Sequence, residues 1–102
     1  MKKHTVYISG PMTGYPDYNH PAFMVAEAAL REMGHEVINP AITGEEDTAG
    51  LQMVGWHDYM VSALNRIRAA TAICYLPGHE ESYGARIEEL VAMKMGLERV
   101  EL

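Results

Sequence analysis

The stretch "SYGARIEELVAMKMG", residues 82–96, holds the side chains best suited to reaction chemistry. Read as a helix, it sets Gly84, Glu88, Ala92 and Gly96 in one i, i+4 row. A carboxylate in a ridge of small residues can pack closely against a sheet, with Ile87, Leu90 and Val91 bordering that face. Burial raises a carboxylate's pKa and makes Glu88 a candidate nucleophile or general base. Glu89 lies about 100° further round the helix, placed to face solvent or to pair with Arg86. The plainer alternative is that both glutamates are solvated helix residues. Gly84, at the start of the same helix, opens backbone amides to an anion at the positive end of the dipole.

A second stretch, "VYISGPMTG" at residues 6–14, is an apolar run that stops at small residues. It is either an ordinary strand-to-loop turn or a loop that lets a ligand reach the backbone through Ser9 and Gly10, with Pro11 stiffening the turn. It lacks the lysine and spacing of a P-loop and the glycine spacing of the dinucleotide fingerprint. No G-x-S-x-G elbow supports Ser9 or Ser82 as a hydrolase nucleophile. The five histidines form no i, i+4 pair on a helix and have no cysteine beside them, so neither a metal nor a cofactor is expected. Cys74, the single cysteine, sits between Ile73 and Tyr75 and reads as an inert, buried strand thiol. The eight methionines fall mostly at helical core spacing.

These residues need elements to position them. Strands are expected over residues 4–9, 36–38, 71–76 and 97–102. Helices are expected over 21–33, 56–68 and from Ser82 to about 95. The alternation predicts an α/β fold with a parallel sheet of four to five strands and helices on both faces. Ligands in such folds bind at the carboxyl ends of the strands. The loops at that edge carry Ser9, Gly10 and Gly14, then Asn39, then Gly78, Ser82 and Gly84. The acidic connection over 41–54 is longer than the usual 4–6 residues or so, as a lid or binding loop would be.

The bulk numbers set limits. A chain of 102 residues, 48% of them hydrophobic, supports one domain over 1–102. A net charge of −6 excludes duplex nucleic acid as the expected partner but allows a small phosphorylated ligand held by backbone amides. No apolar run approaches the roughly 18 residues of a membrane span, and residues 1–4 lead straight into a strand without a signal-like segment. The expectation is a cytoplasmic protein with no membrane partner.

With "GHEVINPA" after the first helix and "AICYLPG" before the last, the chain resembles the nucleoside 2-deoxyribosyltransferase-like superfamily along essentially its whole length. Within it, the pattern is most similar to a small phage and prophage branch, the domain of unknown function 4406 group. The resemblance implies a flavodoxin-like or Rossmann-like three-layer sandwich. It implies cleavage or transfer at the N-glycosidic bond of a nucleoside or nucleoside 5′-monophosphate. The family motif S-x-G-x-x-x-E falls on Ser82, Gly84 and Glu88, which makes Glu88 the nucleophile toward the anomeric carbon. A tyrosine that helps hold this glutamate falls on Tyr7, and Ser9, Gly10, Ser82 and Gly84 fall where a 5′-phosphate is received. Relatives form dimers or larger homo-oligomers, for which Trp56, Tyr59 and Met60 are contact candidates, although the core could claim them equally. The chain departs from the pattern where active members carry aspartates, at Ala63 and Thr71. That departure keeps a second expectation alive, a non-catalytic protein that binds a nucleotide-like ligand.

Overall fold

In the computed structural model of the chain, the described residues are 3–12, 14–41 and 56–102, with backbone alone for 56–59. Strands β1 (Thr5–Ser9), β2 (Glu36–Ile38), β3 (Ala72–Tyr75) and β4 (Glu98–Arg99) alternate with helices α1 (His20–Glu32), α2 (Trp56–Ile67) and α3 (Tyr83–Met95). The strands form one parallel sheet in the order β2-β1-β3-β4. This is the expected Rossmann-like or flavodoxin-like sandwich, with four strands among the described residues.

The strand order places the site. From β1 the chain moves to one neighbour, β2, then returns past β1 to β3 on its other side. The helices therefore leave the carboxyl ends of β1 and β3 toward opposite faces, and a crevice opens between them. Register sets Ser9 beside Tyr75, so both strands end at the crevice together.

Side-chain alternation along β1 assigns its two faces. Val6 and Ile8 pack with Phe23, Ala26 and Leu30 of α1 and with Ala72 and Cys74 of β3. Tyr7 packs on the opposite face with Ile67, Ile73 and Ala92. Burying Phe23 or Leu30 fully contributes about 1.5–3 kcal/mol each. Burial, then the charge of Glu101, pushes the Cys74 thiol up to about 11, as suits the inert role expected of it.

Some boundaries differ from expectation. The last strand is two residues rather than six, and both are exposed. It is an edge strand, where short length and charge guard against pairing with another chain. Two loops contain 3-10 turns, Pro16–Asn19 and His79–Glu81. Beyond Ala41, the connection expected as a lid lies outside the described residues, as do the side chains of Trp56 and Tyr59. Met60 is buried, so the core claims this contact candidate. No helix among the described residues is long and apolar enough to cross a membrane.

Candidate functional site

Tyr7 and Ser9 lie two residues apart on β1 and so point to the same face. That face meets α3, whose buried residues are Ala85, Glu88 and Ala92. The small Ala85 and Ala92 bracket the glutamate and let the helix come close to the sheet. The Tyr7 hydroxyl donates to Glu88 Oε2 at 2.5 Å, and the Ser9 hydroxyl donates to Glu88 Oε1 at 2.7 Å. Both carboxylate oxygens are thus fixed from one strand. Glu88 is only 5% exposed. Burial raises its pKa above the ordinary value of 4.5, while the two hydroxyls pull the other way. Among the described residues, no Lys, Arg or His forms an ion pair with it.

Glu89 takes a different course. It is about one-third exposed, and its carboxylate lies 3.6 Å from the His79 ring rather than beside Arg86. His79 stacks on Tyr75 at 4.5 Å, and the Arg99 guanidinium covers Tyr75 at 4.9 Å. Leu90, expected to border the buried face, is largely exposed, and Gly96 is exposed at the helix end. The buried ridge of α3 therefore runs through 85, 88 and 92 rather than along the row from 84 to 96.

A cleft of about 430 Å³ opens at the crevice, a size suited to a small-molecule ligand. Pro11, Gly78, Ser82 and Gly84 are among the residues that line it. Tyr15, Glu81 and Tyr83 complete the wall and were not foreseen, since loop residues carry no periodic signal. Ser82 caps α3, its hydroxyl accepting from the Ala85 amide at 3.3 Å. Glu88 follows Gly84 by one helical turn and does not itself line the cleft.

Three expected ligand residues are committed to structure. The Ser9 hydroxyl serves Glu88. Gly10 is a packing glycine, because a Cβ there would lie 2.8 Å from Leu76 Cβ. Asn39 is buried on the α1 side of the sheet. Its amide donates to Glu27 at 3.0 Å and to the Phe23 carbonyl at 3.3 Å, and its oxygen accepts from the Ala41 amide at 2.9 Å. The last bond caps the helical turn that Pro40 begins. Gly78 keeps its place at the cleft for a steric reason. Its φ is +89°, and a Cβ would meet the Tyr15 hydroxyl at 2.7 Å.

The two positions where acids were expected stand apart from the cleft. Ala63 is fully buried in the core. Thr71 precedes β3 at the opposite edge, roughly 13 Å from its carboxyl end. The Thr71 hydroxyl bonds the His4 ring at 3.1 Å and accepts from the Thr5 amide at 3.0 Å.

Among comparisons with known proteins, a family model described as Domain of unknown function (DUF4406) matches residues 4–101. No curated protein and no solved structure matches the chain. The matched segment takes in every residue of the Tyr7–Ser9–Glu88 cluster and of the cleft wall. By that match, the chain belongs to the family of domain of unknown function 4406.

Proposed function

We propose that this protein binds a nucleoside or nucleoside 5′-monophosphate and cleaves or transfers at its N-glycosidic bond, with Glu88 as the nucleophile. The observation that carries the reading is the buried Glu88 carboxylate with a hydroxyl on each oxygen, one turn below a ligand-sized cleft. The likeness to the nucleoside 2-deoxyribosyltransferase-like superfamily supports the same chemistry, and a phage or prophage setting goes with it.

Glu88 acts in its ionised form. One carboxylate oxygen forms a bond to the anomeric carbon as the carbon–nitrogen bond breaks. The electron pair leaves with the base, whose nitrogen takes a proton from water. Developing positive charge on the sugar is balanced by the carboxylate. Water, or a second base, then attacks the anomeric carbon, gives its proton to the hydroxide left by the first step, and frees the Glu88 carboxylate as the ester bond breaks. Tyr7 and Ser9 hold the carboxylate and stabilise its charge, so they are positioning residues for this step. Gly78, Ser82 and Gly84 contact the ligand at the cleft. A homodimer or larger homo-oligomer, with no nucleic-acid or membrane partner, belongs to the same proposal.

Two observations favour a second reading, ligand capture without turnover. Glu88 is outside the cleft wall, and Ala63 and Thr71 supply no acid there. Incubation with 2′-deoxynucleosides and their 5′-monophosphates separates the two. Release of free base that survives Glu89→Gln and disappears in Glu88→Gln supports the enzyme. Ligand-dependent thermal stabilisation with no free base supports capture.

A further inference from the structure

The cleft wall includes an acidic residue next to the amino end of α3. Ser82, Tyr83 and Gly84 bring the amino end of α3 to the wall, an arrangement that favours anions. Glu81 stands beside them on the same wall and opposes that preference. Among the described residues, no Lys or Arg lines the cleft.

The remaining wall is aromatic and small. The Tyr15 hydroxyl is pressed against Gly78, close enough that a Cβ there would clash. Tyr83 is 82% exposed at the mouth. Tyrosine rings stack on a nucleobase without regard to its identity. A carboxylate accepts hydrogen bonds from sugar hydroxyls and exocyclic amines. A 5′-phosphate instead brings about 1.5–2 negative charges at neutral pH. Beside Glu81, with no Lys or Arg among the described residues of the wall, that charge is repelled.

We propose that the cleft selects the unphosphorylated nucleoside over its 5′-monophosphate, and that Glu81 sets this selection. The inference rests on the reading of the cleft as a nucleoside site and narrows it to one ligand class.

The test is calorimetric titration of the full chain with 2′-deoxynucleosides and with their 5′-monophosphates at low salt. The nucleoside is expected to bind about tenfold more tightly or better. Glu81→Gln should narrow the ratio, Glu81→Lys should reverse it, and Glu80→Gln should leave it unchanged. Added salt should narrow the wild-type ratio by screening. A monophosphate that binds wild-type protein as tightly as the nucleoside overturns the proposal, as does a ratio unmoved by both Glu81 variants. Where one Glu81 variant fails to fold, the other variant and the salt dependence of the wild-type ratio decide. Absence of binding by either ligand overturns the nucleoside reading itself, and the selection with it.

Discussion

The two edges of the sheet each hold a buried polar cluster, and the clusters are built differently. At the amino edge, the His4 ring bridges Thr71 at 3.1 Å and Glu98 at 3.0 Å, and the His4 amide donates to the His35 ring at 3.1 Å. The Glu98 side chain is 59% exposed, so its charge stays in water. At the carboxyl edge, Glu88 is buried and takes hydrogen bonds from two hydroxyls. The first cluster ties the starts of β1, β3 and β4 together and is a structural clasp. The second holds an acid whose ionised form is disfavoured by burial and sustained by two hydrogen bonds. On the proposed reading, that balance suits a reactive carboxylate.

Variants at the two edges should therefore behave differently. The largest expected effect is on turnover, where Glu88→Gln should lower base release by about a thousandfold or more. Glu89→Gln, one residue away, should leave most of the activity in the same assay. Next come Tyr7→Phe and Ser9→Ala, each expected to lower kcat/KM by about ten- to a hundredfold. Each removes a hydrogen bond that favours the ionised carboxylate, so each should also move the acid limb of the pH–rate profile upward. A loss of activity with the limb unmoved would place the hydroxyls elsewhere in the mechanism.

Stability should show the opposite division. His4→Ala should cost about 1–3 kcal/mol in denaturant unfolding and leave the acid limb in place. Gly10→Ala should cost a similar amount, about 1–3 kcal/mol, by forcing a methyl group against Leu76. The smallest effect has the reverse sign. Glu88 has its pKa raised in the folded chain, so folding disfavours its ionised form relative to the unfolded chain. Its contribution is whole below the unfolded value and is lost as pH rises through the folded one. Glu88→Gln should therefore raise Tm near pH 7. The gain should vanish under acid conditions, where Glu88 is itself protonated.

Much of this arrangement is legible in the sequence because it follows from two periods. The alternation of strands and helices gives the parallel sheet, and helical spacing picks Glu88 rather than Glu89. The strand period of two also puts Ser9 on the face of Tyr7. That signal shows Ser9 as a partner of Glu88, but its place before a glycine loop suggested a ligand contact instead. Asn39 likewise carries two signals. Asn39-Pro40 ends a strand, yet it is also a helix start, and the capping bond to Ala41 uses the side chain. Gly10 shows the limit of composition, since its small size answers Leu76 across the sheet, a partner 66 positions away in the chain. Tyr15, Glu81 and Tyr83 meet only through the geometry of two loops, which no local pattern encodes.

The central claim is that Glu88 is the atom donor that meets the sugar. Peptide mass spectrometry after brief, acid-quenched incubation with a 2′-deoxynucleoside tests it directly. The account predicts a deoxyribosyl ester on Glu88 in wild-type protein and none in Glu88→Gln. Free base released while the peptide bearing Glu88 stays unmodified, with the sugar found on another side chain, would contradict it.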